Sequence, residues 1–263
     1  MVEQVKRLGE NPWTRVRKVL RGGAGDIGEY SPCAFLSVAI LDTLRPACYR
    51  ALFYQRGTGR GIMILRINQD NPQARLIKKV VEVLRDGGVI AYPTDTQYGI
   101  GCDLFQKRSI EQTYRLKKRS PKKPFSFICS DLKNISEFAK VSNYAYKTMR
   151  RLLPGPYTFI LEGTRLVPKI MLNKRKEAGI RVPQNEVCLA IVRELGNPII
   201  NTSANIEDGP VISDPEEIES VFKGVVDLVV DGGPVPGLPS TVVSLINDLP
   251  EVLREGLGDV ANL

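Results

Sequence analysis

Apolar residues recur at helical spacing at Leu76, Ile77, Val80, Val81 and Leu84, between Asn71-Pro72 and Gly87-Gly88. This pattern predicts an amphipathic helix, opened by an asparagine cap with proline at its first position and stopped by glycine. Short apolar runs on either side predict strands over 63–67 and 89–92. Helix and strand signals then alternate. Helices are predicted over 109–116, 131–139, 144–153, 187–195 and 215–222, the fourth of them closed by Gly196. Strands are predicted over 125–129, 158–161, 179–182, 198–201, 227–230, 241–246 and 251–254. Mixed order with several short connections predicts one α/β domain over 63–263, built on a twisted, partly antiparallel open sheet.

Residues 1–62 follow no such period. They hold eight Arg, two Lys and the single Trp13, and carry +5 of the net charge of +8, whereas 63–263 carries +3. Two readings fit this change of character: a basic N-terminal extension, or a stretch upstream of a true start at Met63. Gly23-Ala24-Gly25-Asp26-Ile27-Gly28 matches G-x-G-x-x-G in form. It lacks the preceding strand and following helix that a dinucleotide loop needs, and reads as an ordinary loop.

The composition narrows the chemistry. The chain has no histidine, which excludes a Ser-His-Asp triad, a Cys-His dyad and any His-bearing zinc site. Five widely spaced cysteines form no C-x-x-C pair and fit reduced thiols in a cytoplasmic protein. No apolar run approaches the ~18–20 residues that span a bilayer, so no membrane partner is expected. No metal-ligand set and no tightly bound organic cofactor are expected either.

Two stretches carry the candidate chemistry. The run from Arg115 to Pro124 offers six cations in nine residues: Arg115, Lys117, Lys118, Arg119, Lys122 and Lys123. Asn201-Thr202-Ser203-Ala204-Asn205 reads as a polar turn that ends an apolar strand. Fixed positive charge beside neutral donors suits phosphate or carboxylate oxygens, although a basic cluster alone is also a common solvated face. Proline at 121 and 124 ends the helix, so Lys117 and Arg119 should point outward from a loop. Pro93-Thr94-Asp95-Thr96 sits at a strand exit, a favoured place for ligand contacts; a simple turn held by an Asp95 Asx bond fits equally well. Arg181 interrupts an apolar strand and should meet an anion or lie at an edge.

In their order and spacing these pieces resemble the YrdC-like family of threonylcarbamoyl-AMP synthases, from Met63 to about Val260. The resemblance rests on Pro93-Thr94-Asp95-Thr96, Lys117-x-Arg119 with Pro124, Pro154-Gly155-Pro156, Arg181-Val182-Pro183, Ser203-x-Asn205, Ser240-Thr241-Val242-Val243 and Arg254-Glu255-Gly256. It implies a sheet with a basic concave face and an enzyme, a nucleotidyltransferase. The reaction would join L-threonine and bicarbonate to ATP, with Mg2+, giving threonylcarbamoyl-adenylate for a transferase that modifies adenosine 37 of tRNA. By position, Lys117, Arg119, Ser203 and Asn205 would be the catalytic set. Thr96, Arg181 and Ser240 would bind threonine. Lys123, Ser213 and Arg254 would join the catalytic four around the nucleotide.

The chain departs from the main pattern at 125–129, Phe-Ser-Phe-Ile-Cys, where many synthases carry a histidine. Residues 70–73, 157–164 and 167–176 look like the YciO branch. That resemblance adds two alternatives: a protein that binds double-stranded or ribosomal RNA, and a hydrolase of the adenylate.

Overall fold

The computed structural model describes residues 63–120, 123–206 and 209–263. The N-terminal extension, its G-x-G-x-x-G match, Pro121 and Lys122 lie outside the described residues.

The described residues form a mixed ten-stranded sheet with six α-helices. The strands are β1 (Met63–Arg66), β2 (Ile90–Tyr92), β3 (Gly99–Gly101), β4 (Ser126–Ile128), β5 (Tyr157–Glu162), β6 (Glu177–Arg181), β7 (Ile199–Ser203), β8 (Leu228–Asp231), β9 (Thr241–Ser244) and β10 (Glu251–Arg254). Their spatial order is β1-β8-β2-β3-β7-β4-β6-β5-β9-β10. The pairs β1–β8, β2–β8, β4–β6 and β5–β9 are parallel and the other five antiparallel. The helices are α1 (Ala74–Arg85), α2 (Lys107–Leu116), α3 (Leu132–Phe138), α4 (Asn143–Leu152), α5 (Glu186–Leu195) and α6 (Pro215–Val221).

Helix α1 buries Ile77, Val80, Val81 and Leu84, the stripe its spacing predicts, and Gly87 follows it at φ +81°. Its start is two residues later than Asn71-Pro72 implies. Asn68 Oδ1 accepts the N–H groups of Asp70 and Asn71 at 2.9 Å, so this stretch is a side-chain-bonded turn and Gln73 takes the cap position. The caps of α3 and α4 are made by Asp131 and Ser142, whose side chains accept from Asn134 N and Ala145 N. Gly196 ends α5 at φ +79°.

Strand β3 was not predicted: two of its three residues are glycine, which carries no strand signal. The sheet requires them. A Cβ on Gly101 would sit 1.9 Å from the Ile200 carbonyl oxygen, and one on Gly99 2.6 Å from Asn201 Oδ1. Thr202 and Ser203, read as part of a turn, instead continue β7 beyond the predicted strand end at Asn201, in register with β3.

Alternation along the strands sends apolar side chains to both faces. One face carries Ala91, Ile100, Phe127, Phe159, Ile180 and Val229, packed with residues of α2, α3, α4 and α6. The other carries Ile90, Tyr92, Ile128, Ile199, Leu228 and Val230 beneath α1 and α5. This second face changes character along single strands. Two and four residues beyond Ile199 come Asn201 and Ser203, and two residues before Ile128 comes Ser126. The register joins Ser126 to Asn201 on one side and to Gly179 on the other. The same face continues onto Gly179 of β6 and Ile160 of β5.

Candidate active site

Over this floor opens a cleft of about 390 Å³, which shares Arg119, Lys123, Thr202, Ser203 and Arg254 with an adjoining hollow of about 690 Å³. Both fall in the size range of small-molecule sites. Thr96, Arg181 and Ser240 line the cleft, while Lys117 and Asn205 line the hollow. Nine of the ten site residues named from the sequence thus meet in one concavity. The tenth, Ser213, is in neither lining; its Oγ lies 3.9 Å from a Cβ built on Gly237.

Lys117 follows the last turn of α2 and points inward, not outward as the loop reading expects. It is 6% exposed, and Nζ donates to the Ser203 carbonyl at 3.0 Å and to both oxygens of Asn205. The backbone turns at Lys118 with φ +45°, and Arg119 N bonds back to the Tyr114 carbonyl. Ser203 Oγ donates to Asn205 Oδ1 at 3.1 Å, and Asn205 Nδ2 donates to the Gly209 carbonyl. The ammonium is thereby locked to the end of β7. Arg119 does face solvent. Its Nε donates to the Lys123 carbonyl at 2.9 Å, and its guanidinium lies 5.2 Å from the Phe125 ring centroid, leaving a preset fork at the cleft's mouth.

Arg181, 4% exposed on β6, meets an anion supplied by the chain itself. Its Nη2 donates to Asp95 Oδ1 and, at 3.0 Å, to Thr96 Oγ1. Asp95 Oδ2 accepts the Gln184 N–H at 3.0 Å, so the carboxylate bridges two elements and makes no Asx turn. The turn is held by Thr94 Oγ1, which accepts from Thr96 N and Gln97 N. Arg181 Nε is the one buried side-chain N or O atom without a partner among the described residues.

The opposite wall is the β9–β10 hairpin. Ser240 Oγ pairs with Thr158 Oγ1 at 2.8 Å, and Arg254 Nη2 donates to the Ser240 carbonyl at 2.9 Å. Gly256 lets the chain close here, since a Cβ would come within 2.3 Å of the Pro239 carbonyl oxygen. Arg254 is exposed as a residue, but its guanidinium lies against Ser240. Burial first, then Arg181 and Arg119, draw its pKa below the usual arginine value. Arginine keeps its proton in proteins, so this shift marks a place where cations crowd and an anion would be favoured.

Sequence reasoning missed Asp95 as a partner of Arg181, Thr158 as a partner of Ser240, and Asn173 and Glu177 as lining residues. Glu177 precedes Arg181 by four residues on one strand and so shares its face. Strand alternation could have found it. The Asp95 and Thr158 contacts span 86 and 82 residues, with no local signal. Cys102, Cys129 and Cys188 are free, buried and outside the site, and burial raises their thiol pKa values. Among the described residues no helix is long and apolar enough to cross a membrane.

A family model for the Sua5, YciO and YrdC proteins, described as "Telomere recombination", matches residues 82–256. The protein named "Uncharacterized protein YciO" of Escherichia coli (strain K12) is 43% identical over 196 residues, 74% of this chain and 95% of that one. The E. coli YciO crystal structure has a TM-score of 0.73, covering 76% of this chain and 98% of that chain at 41% identity. A threonylcarbamoyl-AMP synthase of Coxiella burnetii (strain RSA 493 / Nine Mile phase I) is 32% identical over 157 residues, 59% of this chain and 84% of its own. The crystal structure of P. abyssi Sua5 complexed with L-threonine has a TM-score of 0.70 at 26% identity, covering 74% of this chain and 57% of that one. This chain belongs to the Sua5/YciO/YrdC family.

Proposed function

We propose that the chain is an ATP-dependent threonylcarbamoyl-AMP synthase, or a close YciO-type variant of one. The observation that carries this reading is the meeting of Lys117, Arg119, Ser203 and Asn205 with Thr96, Arg181, Ser240 and Arg254 around one concavity. The synthase relative and the threonine-bound Sua5 support it. L-Threonine's amine adds to bicarbonate with loss of water, giving a carbamate. A carbamate oxygen attacks the α-phosphorus of ATP, and the bond from that phosphorus to the β-phosphate oxygen breaks, releasing pyrophosphate. The protein's part is positioning and charge neutralisation, which suits a histidine-free site.

In this reading Arg119, Lys123 and Arg254 hold phosphate oxygens, while Lys117 fixes the Ser203–Asn205 segment whose polar groups orient the reacting centre. Thr96, Arg181 and Ser240 bind the amino acid. In this reading Mg2+ would come with the nucleotide and help neutralise its phosphates. The product would feed a transferase that modifies tRNA, a cytoplasmic step.

Purified protein given ATP, Mg2+ and bicarbonate should release pyrophosphate only when threonine is added. Threonine-independent release, or none, contradicts the reading. The cations that line the concavity, Lys117, Arg119, Lys123 and Arg254, favour a second reading, an RNA-binding protein using this same basic face. Its binding should weaken steeply with salt and ignore sequence. Hydrolysis of added threonylcarbamoyl-adenylate to AMP, without synthesis, would identify a hydrolase instead.

A further inference from the structure

The hydroxyl of Tyr92 and the amide of Asn201 form a pair under the cleft that has no role in the reading above. Tyr92 ends β2, is fully buried, and lays its ring across β3 to reach β7. Glycine on β3 leaves room for that path. A Cβ on Gly99 would stand 3.1 Å from Tyr92 Cζ and 2.6 Å from Asn201 Oδ1, and one on Gly101 3.1 Å from Tyr92 Cε1. Tyr92 Oη lies 3.0 Å from Asn201 Oδ1 and 3.0 Å from the Ile200 carbonyl oxygen, and shares its one proton between these two acceptors. Burial, with Cys188 adding to it, raises the phenol's pKa well above its usual value, so the donor keeps its proton.

Asn201 is half-buried and lines the cleft, and its Nδ2 makes no hydrogen bond among the described residues. With Oδ1 held from beneath, Nδ2 faces the open cleft. Register sets its place on the sheet. Asn201 pairs with Ser126, which pairs with Gly179, two residues before Arg181, and Ser203 lies two residues further along β7. On this one face Asn201 therefore stands one row from Arg181 and one row from Ser203. It is an uncharged donor between the arginine assigned to the amino acid and the polar segment assigned to the reacting centre.

What lies between those two places, in that assignment, is the carboxyl group carried on the amino acid's nitrogen. Its two oxygens are acceptors, which suits an amide N–H. A neutral donor also holds one oxygen without neutralising the charge on the other, which must attack phosphorus. We propose that Asn201 Nδ2 donates to the non-attacking oxygen of the carbamate, and that Tyr92 is the positioning residue that turns the amide to do so. This inference rests on the synthase reading. It adds the group that aligns the nucleophile and the buried hydroxyl that orients that group.

The test uses N-acetyl-L-threonine, a stable molecule that keeps the amide N–H and one carbamate oxygen and carries a methyl group in place of the attacking oxygen. Its equilibrium binding is measured beside that of L-threonine and of ATP, on the full chain, Asn201→Ala, Tyr92→Phe and the double variant. Each single variant should bind N-acetyl-L-threonine roughly 3–10-fold more weakly, the worth of one neutral hydrogen bond, with L-threonine and ATP unchanged. The double variant should bind it no more weakly than Asn201→Ala, because without the amide the hydroxyl has nothing to orient. Additive losses, equal weakening of all three ligands, or no binding of N-acetyl-L-threonine by the wild type overturns the assignment. So does a loss for L-threonine as large as that for its acetyl derivative, which would make the cleft-facing atom an acceptor for the amino acid. A Tyr92→Phe variant that melts earlier but keeps the wild-type ratio of the two threonine affinities would make Tyr92 structural and overturn its positioning role. In turnover, both single variants should lower kcat for threonine-dependent pyrophosphate release and retain the KM for ATP. Selective loss of N-acetyl-L-threonine binding in a protein that releases no pyrophosphate would leave the donor assignment standing and remove the synthase reading. Threonine-dependent release at the wild-type rate in both variants would keep that reading and overturn the assignment.

Discussion

One face of the sheet serves two purposes, and β7 passes from one to the other within five residues. At Ile199 the strand is buried with Ile128, Leu228 and Val230 beneath α1 and α5. At Asn201 and Ser203 the same face lines the cleft. The helix-covered part derives its stability from apolar burial, of the order of 25 cal/mol per Å² removed from water. The open part carries a buried ion pair, paired hydroxyls and crowded cations, a costly arrangement unless a ligand or an internal partner compensates it. Asp95 is that internal partner for Arg181; the anion-seeking groups at the mouth, Arg119 and Arg254, are where ligand charge would be taken up.

This contrast can be broken in graded ways. The largest effect is expected from Asp95→Ala, which leaves the Arg181 guanidinium buried without its carboxylate. A loss of about 3–5 kcal/mol should appear as a lower urea midpoint. If stability is unchanged, Arg181 does not depend on the pair. In the covered part, Leu84→Ala removes a fully buried side chain and should cost about 2–5 kcal/mol, again read by denaturant unfolding. Next comes Arg119→Ala, whose side chain is exposed. Threonine-dependent pyrophosphate release should fall roughly 10–1000-fold while the melting temperature stays close to wild type. A large melting shift with unchanged turnover would reverse the roles assigned to the two parts. Smallest is Lys140→Ala, which breaks the exposed pair with Glu162 at 2.6 Å. Its effect should stay within about 1 kcal/mol and shrink further with salt.

What was legible in the sequence follows the same division. The stripe of α1, the capped start at Asp131 and the stop at Gly196 are local patterns, and the structure keeps them. Strand β3 was hidden because the reason for its glycines, the approach of the Ile200 carbonyl, lies a hundred residues away. At the site, the resemblance picked out residue types that gather in the structure, with Ser213 the exception. Orientation was not legible. That Lys117 turns inward depends on the end of β7, and that Asp95 meets Arg181 depends on β6. The helix start was misplaced because Asn68, and not Asn71, supplies the side-chain acceptor.

The account stands on the open part of the sheet being a site for ATP and threonine. Its most direct test is the initial rate of pyrophosphate release from ATP and bicarbonate, with and without L-threonine, for the wild type and Arg119→Ala in parallel. The account predicts release that requires threonine and collapses in the variant. Release indifferent to threonine, or equal in the two proteins, would contradict it.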